Sequence, residues 1–368
     1  MKAAGDWPFE ATLPPQRTTD SLLQNGAMKI LMLSLPFTPL IGGTVTVSEI
    51  LANEFTKAGH DVCVVTETAG ESSVDFAPYR ILRRLSPWSL LRELKWCDVY
   101  FHNSISLRNA WPLLLIRRPW VVAQHTYIFD GNKSAKTRMK LAAVRAATSI
   151  SISSVIADHL GCPSVIIGNP YDSDLFRILP DVDRQRDLVF LGNLGKIKGV
   201  DTLLVALGKV RSRGVDVNLT IIGGGEEEKA LRLLAEELKI ANMVTFRGPM
   251  RGESLVRELN RHAIQIIPSR IAEPFGVVAL EGIACGCVPI GTAEGGLKDA
   301  IGPCGMLVPN GDADALAEKI EYAVTSADLA SYRQNAAAHL KKHEAKEVAA
   351  KYLNVFENAI PKLDRVSE

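Results

Sequence analysis

Short apolar runs alternate with amphipathic stretches along most of the chain, and glycine or proline clusters stand where one pattern gives way to the next. The first cycle is the clearest. Lys29–Leu35 reads as a strand, Gly42-Gly43 as a loop, Val45–Lys57 as a helix and His60–Thr66 as a second strand. Such alternation predicts a parallel sheet with crossover helices. Further strands are predicted at Val99–His102, Trp120–Gln124, Thr148–Ser151 and Ser164–Ile167. Arg177–Asp187, with Pro180 and six charges, breaks the rhythm as an interdomain connection does. Strand patterns resume at Leu188–Leu191, Asn218–Ile222, Met243–Phe246, Ile264–Ile267 and Val288–Ile290. Amphipathic helices at Val200–Arg211, Glu226–Leu238 and Ala313–Val324 fill the spaces between them.

The expected class is therefore α/β, with one doubly wound domain over 28–180 and another over 181–345. Ala336–Ile360 reads as helical and carries Tyr352, Leu353, Val355 and Phe356 at core-like spacing. Residues 1–27 hold Pro8, Pro14 and Pro15 and lack the apolar segment of a secretory leader, so a disordered tail is expected there. Met28 is a natural start for the first strand.

Composition narrows the class of partner. At 368 residues and 47% hydrophobic, the chain can furnish two cores. Residues 28–180 carry 16 basic and 12 acidic side chains, against 24 and 26 for 181–368. An excess that small predicts no nucleic-acid partner, which needs a concentrated basic face. The six cysteines lack paired metal-ligand spacing and read as reduced thiols, most of them in the core. No apolar run reaches the eighteen or so residues of a membrane span, so a cytoplasmic location is expected.

The segment Ser269-Arg270-Ile271-Ala272-Glu273-Pro274-Phe275-Gly276-Val277-Val278-Ala279-Leu280-Glu281 is the densest in candidate chemistry. Pro274 suits a first helical turn, which predicts a helix from Phe275 to Ala284 with Glu273 in the loop before it. Free backbone N–H groups around Gly276 would then offer a dock for a diphosphate. Eight residues of helix span roughly 12 Å, longer than the ~5–9.5 Å of a hydrolase carboxylate pair. Glu273 and Glu281 thus suit opposite ends of one extended ligand. A charged first turn followed by a solvated glutamate explains the same residues.

The segment resembles the Glu-x7-Glu motif of retaining glycosyltransferases with the GT-B fold, specifically glycosyltransferase family 4, and the likeness recurs in order over about 28–325. It implies two Rossmann-like domains facing a cleft, with the acceptor side in the first, the nucleotide sugar in the second, and 346–368 crossing back to the first. In this family the first glutamate, here Glu273, meets donor-sugar hydroxyls, and the second, here Glu281, binds the nucleotide ribose. Backbone groups of Phe275, Gly276 and Val277 would meet the sugar and phosphates. Pro36-x-x-Pro39-x-x-Gly42-Gly43 resembles the family's loop to the donor phosphate and acceptor. His125, just past a predicted strand, matches the histidine that bonds the transferred sugar. Gly192-Asn193-Leu194-Gly195-Lys196-Ile197-Lys198-Gly199 matches the family's Gly-Arg-Leu and Lys-Gly segment, with Asn193 where the family has arginine. Arginine offers a charged bidentate fork to a diphosphate, whereas asparagine offers two neutral donors. Gly295-Gly296 resembles the loop that closes the phosphate pocket.

The resemblance implies a retaining, metal-independent transferase of hexosyl type. Its donor would be a nucleoside diphosphate sugar with no further cofactor, and its acceptor a saccharide, a lipid-linked or a small-molecule hydroxyl. His125, Lys198 and Glu273 would act at the reacting centre. An inactive nucleotide-sugar-binding protein, suggested by Asn193, and a sugar-nucleotide epimerase remain as alternatives. The residues outside that set are read more plainly. His102 is placed beside the site or toward the acceptor, and His60 in a turn. Gly223-Gly224-Gly225, followed by three glutamates, is read as a turn near the base. Asp172-x-Asp174, Asp181-x-Asp183 and Asp312-x-Asp314 are read as structural, with Asp312 capping a helix. Arg80, Arg83, Arg84, Trp88, Leu90, Leu91, Arg92, Lys95 and Trp96 mix basic and apolar residues. Together with the basic run Lys133, Lys136, Arg138, Lys140 and Arg145, they suit either a solvated face or peripheral contact with the inner membrane face.

Overall fold

The computed structural model describes residues 26–40, 42–70, 77–128, 134–325 and 328–360. Most of the stretch expected to form a tail, the loop residue Lys133 and the last eight residues lie outside these. Seven strands form the first sheet: β1 (Lys29–Leu33), β2 (Asp61–Thr66), β3 (Arg80–Arg83), β4 (Val99–Asn103), β5 (Trp120–Gln124), β6 (Thr148–Ser151) and β7 (Val165–Ile166). Six form the second: β8 (Gln185–Leu191), β9 (Leu219–Ile222), β10 (Val244–Gly248), β11 (His262–Ile267), β12 (Val288–Thr292) and β13 (Met306–Val308). All ladders are parallel, in the orders β3-β2-β1-β4-β5-β6-β7 and β10-β9-β8-β11-β12-β13. Each order reverses once, between β1 and β4 and between β8 and β11. Ligands of open parallel sheets bind beyond the carboxyl ends of the strands at such points, because the connections there leave to opposite faces and open a crevice.

The apolar content of the strands explains the layering. β1 from Ile30 to Leu33 and β11 throughout are buried on both faces, as strands between two helical layers must be. Helix α1 (Gly43–Lys57) turns Val47, Leu51 and Phe55 onto the first sheet. The helix Ala345–Ala359 crosses to the same layer and inserts Tyr352 and Phe356, with ring centroids of Phe356 5.4 Å from Phe55 and 5.1 Å from Phe101. The return of the terminal helix to α1 is thus an aromatic contact, and Tyr352, Leu353, Val355 and Phe356 are all buried in it.

Several elements differ from the sequence-based expectation. β3 and β13 are edge strands with too few apolar residues to stand out. Arg80 is structural: it pairs with the buried Glu93 at 3.3 Å and stacks on Trp96. The connection expected over Arg177–Asp187 ends early, since β8 opens at Gln185, whose N–H bonds Arg261 O. The helix expected over Ala336–Ile360 breaks between Lys341 and Ala345. There Tyr171 N–H donates to His343 O and His343 Nδ1 bonds Asn169 O, so a contact with the first half of the chain replaces helical bonds. No helix among the described residues is long and apolar enough to cross a membrane.

Candidate active site

The two crevices face one another across a cavity of about 630 Å³. Its walls include Gly42 and Gly43 after β1, His125 after β5, Asn193 and Lys198 after β8, and Glu273, Phe275, Gly276, Val277 and Glu281 after β11. The residues expected at the reacting centre and on the donor therefore line one space. Thr44, Thr46, Thr126, Asn169 and Ser269 also line it and carried no sequence signal beyond their place after strand ends.

The loop after β11 corrects one expectation. Pro274 does not open the helix, which runs Val277–Ala284 with Gly276 as its N-cap in the left-handed region at φ 101°. That φ strains any residue with a Cβ, and a Cβ there would also lie 2.5 Å from Leu297 Cδ1, so glycine suits the turn into the helix. The N–H groups of Val277 and Val278 precede the helix's own bonding and remain donors at the cavity wall. With the helix starting later, Glu281 sits in its second turn, and the expectation of eight helical residues between the carboxylates does not hold. Gly295 bridges backbone to backbone with Glu273, and Gly296 N–H donates to Glu273 O at 2.6 Å. That glycine pair props the Glu273 loop from behind.

Lys198 and Glu273 meet directly. Lys198 Nζ lies 2.5 Å from Glu273 Oε1, which also accepts from Ser269 Oγ at 2.6 Å. Lys198 reaches this position because Gly199, at φ 67°, passes within contact of Pro268 O, where any side chain would collide. Asn193 is exposed on the wall, and its Nδ2 donates to Gly224 O at 3.2 Å. Lys198 is thus the cationic side chain among the described wall residues, set against the carboxylates Glu273 and Glu281. Burial, and after it the charge of Asp172, pushes the Glu281 carboxyl up to about 7.

His125 is held by a chain of hydrogen bonds. Its Nε2 lies 2.5 Å from Asn103 Oδ1, while Asn103 Nδ2 donates to Ser48 Oγ at 2.6 Å and Ser48 Oγ donates to Thr44 O at 2.8 Å. With the amide nitrogen used on Ser48, the amide oxygen faces the imidazole, which assigns the hydrogen to Nε2. Nδ1 is left as a bare lone pair, and it has no partner among the described residues. Burial lowers the His125 pKa to about 4, with the Asn169 side chain opposing slightly, so the ring is neutral near pH 7. Nδ1 is itself sealed from solvent. Asn169 Oδ1 is likewise buried and unpartnered, with the Asn169 side chain beside the ring.

Other candidates fall outside the cavity. His102 is buried edge-on between Tyr100 and Trp120, at 4.4 and 5.4 Å between centroids, away from the wall. His60 Nδ1 accepts from Met28 N–H in a turn. Gly224 O accepts from Leu194 N–H, Gly223 N–H donates to Gly248 O, and Asp312 caps the helix that follows it. Among the described residues no group of three or more His, Cys, Asp or Glu is placed to hold a metal ion.

Two doubly wound parallel sheets that meet at their switch points, with a terminal helix returning to the first, define the GT-B class. The Anabaena protein HepE, solved with UDP, superposes with a TM-score of 0.78 at 19% identity over 90% of this chain and 100% of that one. Sucrose-phosphate synthase from Thermosynechococcus elongatus gives 0.71 at 20% identity over 90% and 98%. Residues 173–340 match the family glycosyl transferases group 1. The D-inositol 3-phosphate glycosyltransferase of Corynebacterium jeikeium is 35% identical over 184 residues, 44% of each chain. The chain thus spans less than half the length of the curated relatives it matches.

Proposed function

We propose that the protein transfers a hexosyl group from a UDP-sugar to an acceptor hydroxyl with retention at the anomeric carbon. The observation that carries this reading is the convergence, in one cavity, of a neutral imidazole (His125), a cation on a carboxylate (Lys198 on Glu273) and a free helix N-terminus (Val277). These are the groups a sugar, a diphosphate and their junction require. The choice of uracil leans on HepE, solved with UDP and with UDP-glucose.

Residues 28–180 form the acceptor side in this reading, 181–345 the donor side, and 346–368 the return segment. Glu281 accepts from the ribose hydroxyls, and Glu273 meets the sugar hydroxyls through the oxygen that Lys198 leaves free. Lys198, the Gly42-Gly43 backbone and the Val277 N–H face the diphosphate. The bond from the anomeric carbon to the phosphate oxygen breaks, and its electron pair goes to that oxygen. The acceptor oxygen bonds the same face of the carbon while its proton passes to the departing phosphate. Preorganised donors in a cleft closed to water stabilise the growing charge without reorganising during the step, so the scheme needs no metal. The reading also places the protein in the cytoplasm.

A thermal-shift panel of UDP, GDP, ADP and TDP with their sugars, on the intact protein and on Glu281→Ala, tests it. Stabilisation by uridine nucleotides that the variant loses is the expected result. No shift with any nucleotide would sink the proposal. Binding without transfer to any acceptor would instead favour an inactive binder, the reading that Asn193 supports.

A further inference from the structure

The first sheet carries a surface that the cleft chemistry does not use. Helix α2 (Pro87–Trp96) packs against the short turn Trp111–Leu114, and together they raise Trp88, Leu114 and Leu115, which are 80%, 87% and 68% exposed. Trp88, Leu91, Leu115 and Ile116 line a groove of about 480 Å³ whose remaining walls are Arg92 and Lys95. Residues 84–118 hold six Lys or Arg against Glu93 and Asp98. Glu93 divides itself between Arg80 and Arg92 and so offsets part of the Arg92 charge, while no acid pairs with Lys95 among the described residues. Glu93 is buried against Arg80 and Arg92, and Asp98 accepts from the Lys29 N–H at the start of β1. At the other end of the sheet, Arg83 Nη1 donates to Thr38 O and Thr68 O, which ties the approach to α2 to the loop leading to Gly42.

We infer that this surface docks the protein on an anionic lipid bilayer. Trp88, Leu114 and Leu115 enter the headgroup layer, and Arg92 and Lys95 meet lipid phosphates. Large apolar tips standing out of a basic field match that environment: tryptophan favours the boundary between headgroups and acyl chains, and Arg or Lys stems cover apolar surface while their charges stay at phosphate level. The inference is independent of the proposed transfer reaction.

Sedimentation of the full chain with phosphatidylglycerol or phosphatidylcholine vesicles tests it. Binding to phosphatidylglycerol at low salt, weakening as salt rises, and little binding to phosphatidylcholine are expected. Each basic residue at such a surface contributes about fivefold in partitioning, so Arg92→Glu/Lys95→Glu should lose at least about 25-fold. Trp88→Ser/Leu114→Ser/Leu115→Ser, whose side chains are outside the core, should lose more than about tenfold. Wild-type protein that stays in solution with phosphatidylglycerol, or variants that bind as it does, would overturn the inference. A dimer abolished by the serine variant, with no vesicle binding, would do so too and assign the surface to a second copy. UDP-induced stabilisation measured in parallel reports on the cleft separately.

Discussion

Asn193→Arg should tighten binding of UDP but not of uridine. The wall holds Lys198 against Glu273 and Glu281 among its described charged side chains, so a diphosphate meets little net positive charge from them. Asn193 is exposed, and its bond to Gly224 O is a neutral one at 3.2 Å, so a longer side chain displaces no core packing. A guanidinium there supplies charge-assisted hydrogen bonds, worth about 1.5–3 kcal/mol when made to an ionised partner. That corresponds to about 10- to 150-fold in affinity. Isothermal titration calorimetry with UDP and uridine at two salt concentrations reads the effect. The gain should appear with UDP alone and shrink as salt rises. Equal gains for uridine and UDP, or none for either, would refute the charge argument and with it the placement of the diphosphate beside Asn193.

Three further predictions concern protons. Asn103→Leu removes the acceptor that holds the hydrogen on His125 Nε2, so the imidazole should change tautomer, visible in its nitrogen NMR shifts, and turnover should fall about 10- to 100-fold while the UDP Kd stays near that of wild type. Unchanged shifts would remove Asn103 as a positioning residue. The Glu281 carboxyl, raised from 4.5 to about 7 by burial, contributes stability that is present below 4.5 and lost as pH rises through about 7, because the unfolded chain releases this proton first. Glu281→Gln should flatten that part of the stability profile. If Glu281 accepts from the ribose, uridine affinity should rise through about pH 7, since the carboxylate is the better acceptor. An affinity independent of pH in that window would count against the ribose role.

Alternation of apolar strands with amphipathic helices made the α/β class legible in the sequence, because a strand buried between two helical layers must be apolar almost throughout. The motif spacings around Gly42, His125, Lys198 and Glu273 likewise identified wall residues, since phosphate and sugar contacts fall at strand ends whatever the surrounding helices do. Local pattern failed where long-range contacts decide. β3 and β13 became strands because a neighbour's ladder was open to them, and the terminal helix broke because His343 and Tyr171 meet across the chain. Pro274 looked like a helix start, but the left-handed turn at Gly276 sets that start at Val277. The bare lone pair on His125, the pairing of Lys198 with Glu273 and the elevated Glu281 carboxyl have no sequence signature. Each depends on which groups the fold brings within hydrogen-bonding distance and which it removes from water, and these are properties of tertiary structure alone.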